Sequence, residues 1–221
     1  MKIYFTIMCI LCVCVPKHIY AETIVGGLYS KPVVWTKAGS PYVVKTSTTF
    51  LNADLRIDSG VEVRFEKSIF FKNSSLSVLG TELKPTVFTA NDMSSSLISG
   101  DNYRAYVQHV KLTGKNNSSF MSGWNKSDIS IDNLYTDSFG AGRFINVWKE
   151  SKLMIKHTKL KNWKGKGIEL FSSSTVDVRD SDFINTDIGI YGFDNTTINI
   201  QDSLFEANNK AILAQTSNLS V

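Results

Sequence analysis

Apolar residues recur through the second half of the chain at one slowly shrinking interval. One column of them, with spacings of 24, 24, 23, 22 and 21 residues, consists of Val107, Ile131, Ile155, Val178, Ile200 and Val221. A second column, five residues further on, consists of Leu112, Thr136, Leu160, Phe183 and Phe205, and a third consists of Ile168, Ile190 and Ile212. Because independent columns share one period, each column marks an equivalent position in stacked coils of the chain.

Within each coil, apolar and polar residues alternate with a period of two. The alternation is clear at 55–57, 61–65, 76–78, 129–131 and 176–178. Such alternation predicts strands with one buried face and one exposed face. A sandwich or barrel of antiparallel hairpins has no fixed long period, whereas in a parallel β-helix each strand pairs with its equivalent one coil away. The shared spacing therefore favours the parallel β-helix.

The pattern predicts an all-β solenoid of about eight to nine coils over residues 22–221. Residues 33–106 form its less regular coils, and residues 107–221 form its regular repeats. The last four residues begin another coil and stop within a strand, so we expect the C-terminal edge to be uncapped. We therefore expect either a fragment of a longer protein or an edge covered by a partner, and self-association through that edge.

The first 21 residues have the pattern of a secretory signal peptide. Lys2 precedes an apolar run over 3–15, Pro16 interrupts the run, and Ala21 is a small residue at a suitable cleavage point. The run is too short to cross a bilayer, so we expect no transmembrane segment after cleavage. We expect a protein that is secreted or held at the cell surface or in the periplasm. All three cysteines leave with the peptide, which excludes disulfides and thiol catalysis.

The charge of the mature chain is nearly balanced. Removing residues 1–21 leaves 22 basic residues (24 less Lys2 and Lys17) against 20 acidic ones, a net charge of about +2. A chain with this balance has no polybasic patch for a nucleic acid, so we expect no nucleic-acid partner.

Several stretches resemble a known family. The segments "GSPYVV", "LNADLRIDSGVEVRFEKSIFF" and "SLSVLGTELKPTVFTA" resemble the first coils of secreted right-handed parallel β-helix proteins, the pectate-lyase-like superfamily. The units "STVDVRDSDFINTDIGIYGFDN" and "TTINIQDSLFEANNKAILAQTSN" look like the short parallel β-helix repeats of that superfamily. The resemblance covers about residues 33–221 and implies a right-handed parallel β-helix. It implies a lateral face suited to extended polysaccharides, but the superfamily includes lyases, hydrolases, epimerases, phage tailspikes and adhesins.

The motifs of the hydrolases in that superfamily are incomplete in this chain. Polygalacturonase-like hydrolases use several aspartates and a histidine on neighbouring coils. Asn185, Thr186 and Asp187 match the first of these motifs in three letters, but Ile188 follows where the family has glycine. No Gly-His-Gly or Arg-Ile-Lys sequence is present, so the paired carboxylates that glycoside hydrolysis requires are not indicated.

A lyase site is the stronger catalytic hypothesis. A lyase needs a base for the proton at uronate C5 and cations that neutralise the neighbouring carboxylate. Lys156 and Arg179 share an outward column, and His157 lies in the next column at a predicted turn, which makes these three the catalytic candidates. Asp180 and Asp202 share the column of His157, about 4.8 Å apart per coil, and form a candidate Ca²⁺ site. The alternative is a solvated polar row without chemistry.

Three tryptophans, Trp124, Trp148 and Trp163, suggest a sugar-binding surface, most clearly where lysines follow them. Trp148 is followed by Lys149, and Trp163 is followed by Lys164 and Lys166. Exposed aromatic rings beside charged groups often mark binding sites, so these five residues are candidates for binding substrate. The alternative is that the rings fold back over the coils.

Three functions remain open at this stage. The first is a secreted or cell-surface β-helix that binds a polysaccharide or a cell-surface glycan through its lateral face. The second is a lyase or epimerase that acts on an acidic polysaccharide. No cofactor is evident from the sequence, and Ca²⁺ is the one candidate. The third is the structural stalk of a larger surface adhesin. No complete catalytic constellation is visible, which favours binding and leaves enzymatic activity undecided.

Overall fold

The structure, a computed structural model, describes residues 21–137 and 140–221, and of Asn116 only the backbone. The predicted signal peptide therefore lies outside the described residues, apart from Ala21. Within the described part the only helix is the 3₁₀ turn Lys37–Gly39, and no helix there is long and apolar enough to cross a membrane. The described residues otherwise form strands and turns.

The strands follow one another in chain order around the coils. They are β1 (Thr23–Tyr29), β2 (Val33–Trp35), β3 (Tyr42–Leu51), β4 (Leu55–Ile57), β5 (Glu62–Phe65), β6 (Ile69–Lys72), β7 (Ser75–Leu79), β8 (Thr86–Met93), β9 (Ile98–Asp101), β10 (Arg104–Asn116), β11 (Met121–Trp124), β12 (Asp128–Asp137), β13 (Arg143–Val147), β14 (Lys152–Lys156), β15 (Lys159–Lys161), β16 (Lys166–Phe171), β17 (Thr175–Arg179), β18 (Asp182–Ile184), β19 (Ile188–Phe193), β20 (Thr197–Gln201), β21 (Leu204–Glu206), β22 (Lys210–Gln215) and β23 (Asn218–Ser220).

All strand pairings are parallel, and each strand pairs with its equivalent in the next coil. Sheet 1 comprises β2, β4, β7, the first halves of β10 and β12, β14, β17, β20 and β23. Sheet 2 comprises the first halves of β1 and β3, β5, β8, the second halves of β10 and β12, β15, β18 and β21. Sheet 3 comprises the second halves of β1 and β3, β6, β9, β11, β13, β16, β19 and β22. The chain forms a parallel β-solenoid of about eight turns, which confirms the predicted fold class.

The predicted apolar columns form the buried rows of the three sheets, except in the last coil, where Val221 is 86% exposed and Ile200, Phe205 and Ile212 are partly exposed. In sheet 1, Ile131 pairs with Val107 on one side and with Ile155 on the other, and all three are fully buried. The same row continues towards the N-terminus through Val78 and Ile57 to Trp35. Burial of each such side chain contributes roughly 1.5–3 kcal/mol, and the sum along the rows offsets the entropy lost when the coils form.

Polar side chains form a short ladder at the corner between sheets 2 and 3. Asn185 donates from Nδ2 to Oδ1 of Asn162 at 2.7 Å, and Asn162 donates to Oδ1 of Asp137 at 2.7 Å. Asn208, one residue out of register, instead accepts the backbone N–H of Thr186 at 2.7 Å. The in-register asparagines therefore stack as their spacing predicts, and the ladder ends at Asn185 because the next amide turns to a different partner.

Close backbone approach explains the small residues at 167, 189 and 211. A Cβ atom added to Gly189 would lie 2.4 Å from the carbonyl oxygen of Ala211 and 2.7 Å from the ring of Phe205. One placed on Gly167 would lie 2.4 Å from the carbonyl oxygen of Gly189. Neither glycine has a positive φ, so lack of space rather than backbone conformation requires the missing side chain.

Candidate functional site

The corner between sheets 1 and 2 carries the predicted histidine column. Each of its members has a left-handed backbone, with φ of 46°, 55°, 46°, 47° and 48° at His109, Asn133, His157, Asp180 and Asp202. The residue after each turn forms a hydrogen bond with the equivalent residue of the next coil. Thr158 donates its backbone N–H to Oγ of Ser181 at 3.1 Å, and Ser181 donates its own N–H to Oγ of Ser203 at 3.2 Å. The corner is therefore a regular row of left-handed turns, as the spacing predicted.

His157 lies between two carboxylates from neighbouring coils. Its Nδ1 atom is 2.8 Å from Oδ1 of Asp132, and its Nε2 atom is 3.8 Å from Oδ2 of Asp180. Lys156 and Arg179 occupy paired positions at the ends of β14 and β17. A base and two cations thus share one surface. Because the side chains of His157 and Asp180 are about half exposed to water, ion pairs there are weak.

The Ca²⁺ hypothesis concerns the same corner. Asp180 and Asp202 follow one another in the column, as predicted from their spacing. Within residues 21–137 and 140–221, no group of three or more histidine, cysteine or acidic side chains is arranged to hold a metal ion. Ca²⁺ binding by Asp180 and Asp202 stays a prediction.

Trp163 requires a correction to the sugar-binding hypothesis. Its side chain is fully buried, its indole N–H donates to the carbonyl oxygen of Gly142 at 3.0 Å, and its ring meets Phe144 edge to face at 5.4 Å. A ring in this position has no free face for a sugar, because the coil packs against it. Lys164 next to it is exposed and lines a groove of about 900 Å³ at the corner between sheets 2 and 3.

Trp148 belongs to a row of aromatic side chains on the outer surface of sheet 3. We call Trp124, Trp148, Phe171 and Phe193 the aromatic stripe; they follow one another at intervals of 24, 23 and 22 residues. Ring centroids lie 6.4 Å apart for Trp124 and Trp148, 5.7 Å for Trp148 and Phe171, and 6.2 Å for Phe171 and Phe193. The stripe crosses four successive coils and runs along the solenoid.

A repeated turn holds each ring of the stripe in place. After each aromatic residue come two residues with positive φ, at 125–126, 149–150, 172–173 and 194–195. A buried serine or threonine follows, at Ser127, Ser151, Ser174 and Thr196. The three serines donate from Oγ to the carbonyl oxygens of Trp124, Trp148 and Phe171 at 2.6, 2.6 and 2.8 Å. These hydrogen bonds fix the backbone from which the rings project.

A polar row lies beside the stripe on the same sheet. Its paired members are Ser99, Ser122, Asn146, Glu169 and Tyr191. The carboxylate of Glu169 is only 1% exposed, because Arg143 and Lys166 both form ion pairs with it. Lys166 also lies over the ring of Tyr191, 4.3 Å from its centroid. Ser99, Ser122, Asn146 and Glu169 are buried, so of this row only Tyr191 reaches the surface beside the aromatic rings.

The structure separates the predicted site residues into three places. Trp148, Lys149 and Lys166 lie on sheet 3 or at its edge, while Trp163 and Lys164 lie at the corner between sheets 2 and 3. The catalytic and metal candidates lie at the corner between sheets 1 and 2. The sugar-binding candidates and the catalytic candidates therefore cannot form one site, because sheet 3 has no edge at the corner between sheets 1 and 2.

Two members of the stripe were missed by the sequence-based prediction of the site. Phe171 and Phe193 were not considered for it, although they keep the same spacings as the buried columns. That shared spacing is the signal that identifies them: an outward column that is aromatic on four coils in succession is as periodic as an inward one.

Comparison with known proteins addresses the fold. A family model described as the right-handed β-helix region matches residues 52–221. No curated protein matches the sequence. One similar solved structure is the catalytic domain of a GH87 α-1,3-glucanase in complex with tetrasaccharides, at 9% identity and a TM-score of 0.35. The match covers 91% of this chain and 62% of that one, and at this level it carries no argument about activity. With most of its length matched by the family model, the chain belongs to the right-handed β-helix family.

Proposed function

We propose that this protein binds a polysaccharide along the outer surface of sheet 3. The aromatic stripe is the observation that carries the proposal. Aromatic rings offer apolar faces for the C–H faces of sugar rings, and contiguous exposed aromatic surface on a soluble protein marks a binding site. Lys149, which directly follows Trp148 and is exposed, supplies donors for sugar hydroxyl groups beside the stripe. Among the sequence-based candidates, Trp148 and Lys149 are part of this surface.

The stripe is organised before any ligand arrives. Each ring contacts the next, and the serine hydrogen bonds hold the turns from which the rings project. A surface that is already ordered loses little conformational entropy when it binds, so its contacts contribute more fully to affinity. An elongated stripe on a rigid solenoid suits a ligand that is itself long and extended.

Tryptophan emission and affinity electrophoresis test this proposal. Titration of residues 22–221 with a panel of soluble polysaccharides should quench emission from the exposed Trp148 for at least one of them. Trp148→Ala should weaken that binding about tenfold or more, as for a central interface residue. Tyr135→Ala is the matched control, because Tyr135 is similarly exposed but projects from sheet 2. Equal losses in both variants, or no binding to any polysaccharide, would contradict the proposal.

A second candidate function, a lyase or epimerase for acidic polysaccharide, rests on the His157 corner. What favours it is the position of His157 between Asp132 and Asp180, beside Lys156 and Arg179. We propose secretion or surface location for either function, on the pattern of residues 1–21. A role as the stalk of a larger adhesin agrees with the same solenoid and with glycan binding along it.

A further inference from the structure

We propose, on the basis of the proposed function, that the ligand is a neutral polysaccharide in an extended twofold ribbon, such as a β-1,4-linked hexopyranose chain. In such a chain every second sugar would stack on sheet 3. The first observation is that exposure alternates along the stripe. Trp148 is 37% exposed and Phe193 is 42% exposed, whereas Trp124 and Phe171 are each partly buried.

Each ring of the stripe is steeply inclined to the next. The plane of Phe171 lies at 87° to that of Trp148 and at 68° to that of Phe193. Trp124 in turn lies at 67° to Trp148. Phe171 therefore stands across both of its neighbours, and the two most exposed rings, Trp148 and Phe193, lie two coils apart and are the candidate stacking platforms.

The spacing of these platforms matches a disaccharide repeat. Neighbouring strands are about 4.8 Å apart, so two coils separate Trp148 from Phe193 by about 10 Å along the solenoid. In an extended chain with equatorial linkages each sugar advances by a distance close to one strand spacing of about 4.8 Å. Successive sugars of such a chain are turned over, so that every second sugar presents the same face. The same sugar face therefore recurs at the spacing of the platforms. A helical glucan chain, which turns continuously, does not repeat its face at this distance.

The charges of this surface indicate a neutral ligand. Four basic residues lie on or beside the stripe, namely Lys126, Arg143, Lys149 and Lys166, and four acidic ones, namely Asp101, Glu150, Glu169 and Asp194. Lys126 pairs with Glu150 at 3.7 Å, and Arg143 and Lys166 pair with Glu169. Of the four cations, Lys149 alone has no ion pair within the described residues. An acidic chain would meet as much negative as positive charge here, so the surface has no electrostatic preference for it.

Oligosaccharides of defined length test the inference by isothermal titration calorimetry. The probes are β-1,4-linked gluco- and manno-oligosaccharides of two to six units, with malto-, laminari- and galacturono-oligosaccharides of equal lengths as comparisons. If the platforms are two coils apart, the first and third sugars of one oligosaccharide stack on them. We therefore expect affinity for a β-1,4 series to rise at least tenfold from the disaccharide to the trisaccharide. Trp148→Ala and Phe193→Ala should each remove that rise, and Tyr135→Ala should keep it.

The outcomes separate this inference from the proposed function. Stronger binding of malto-, laminari- or galacturono-oligosaccharides than of every β-1,4 series would overturn the inference and leave binding at sheet 3 intact. Binding of the β-1,4 series without a rise in affinity from the disaccharide to the trisaccharide would likewise overturn the inference and leave binding at sheet 3 intact. No binding of any probe, together with no binding of any polysaccharide, would overturn both. Thermal melts that match the parent protein would show that the two alanine variants remain folded.

Discussion

Trp148 and Phe171 meet edge to face, with ring centroids 5.7 Å apart and planes at 87°, although 23 residues separate them along the chain. The contact arises because one coil of the solenoid brings the chain back to the same place one strand spacing higher. Side chains that share a column therefore become neighbours. The same rule builds the buried rows, the polar ladders and the aromatic stripe.

Ser151 lies at the corner between sheets 3 and 1 and hydrogen-bonds to the turn that carries Trp148 of the aromatic stripe. Its Oγ atom accepts the backbone N–H of Ser127 at 3.1 Å and donates to the carbonyl oxygen of Trp148 at 2.6 Å. Ser151→Ala should lower the free energy of unfolding by about 1–3 kcal/mol, because a buried backbone amide loses its acceptor. Urea denaturation measures the loss, and emission from Trp148 should shift to the red. Ser130→Ala on the outer surface of sheet 1 is the control and should change the free energy of unfolding by less than about 0.5 kcal/mol. Equal losses in the two variants would show that the hydrogen bonds of Ser151 do not stabilise the fold.

Ile190 tests the inward rows. Its side chain is fully buried between Ile168 and Ile212 of the neighbouring coils. Ile190→Asp places a carboxylate in the core without a partner, so we expect cooperative unfolding to disappear. The measurement is a thermal melt followed by circular dichroism. Met154→Asp, at an exposed position of sheet 1, should melt within a few degrees of the parent. An Ile190→Asp variant that melts like the parent would mean that this row does not face inward.

Tyr103 carries a hydroxyl group that is buried without a hydrogen-bond partner in the described part of the chain. Tyr103→Phe removes that group and should raise the free energy of unfolding by about 1 kcal/mol at pH 7. Tyr42→Phe is the matched control, because the Tyr42 hydroxyl accepts the backbone N–H of Thr36 at 2.9 Å. That variant should lose about 1 kcal/mol instead. Urea denaturation compares the two, and a loss in both would contradict the absence of a partner at Tyr103.

The same tyrosine predicts a pH dependence. Burial raises the pKa of Tyr103 well above its ordinary value, because the phenolate loses its hydration. In the unfolded chain the group titrates near pH ~10. Stability is therefore full below pH ~10 and falls as the pH rises above it, because the unfolded state then releases a proton that the folded state keeps. Tyr103→Phe should flatten this alkaline fall in a urea denaturation series; an unchanged slope would assign it to other groups.

His157 allows the lyase hypothesis to be tested apart from stability. His157→Asn should keep the fold, since asparagine tolerates the left-handed backbone and an exposed ion pair contributes about 0–1 kcal/mol. Any loss of viscosity that the parent causes in an acidic polysaccharide should disappear in this variant and in Arg179→Ala. His109→Asn is the control, because it has the same φ of 46° two coils away. Full activity in both test variants would exclude this corner as the catalytic site.

Much of the fold was predictable because a solenoid repeats local rules. The columns through Ile131 and Ile168, and the ladder from Asn162 to Asn185, follow from spacing alone. Each coil contacts only its neighbours, so equal spacing in the chain means adjacency in space. The aromatic stripe has the same regular spacing, but its continuation at Phe171 and Phe193 was missed because outward aromatic residues were not searched for columns.

The sequence by itself determined which residues stack, and only the tertiary structure decided which of them reach solvent. Trp148 and Trp163 have similar lysine-rich contexts, yet one is exposed on sheet 3 and the other is buried at a corner. Glu169 occupies an outward position but is covered, because Arg143 and Lys166 fold over it. Period and spacing specify the coil and the position within it. Exposure depends on neighbouring side chains and on how the chain turns at each corner, and these arise only when the coils pack together.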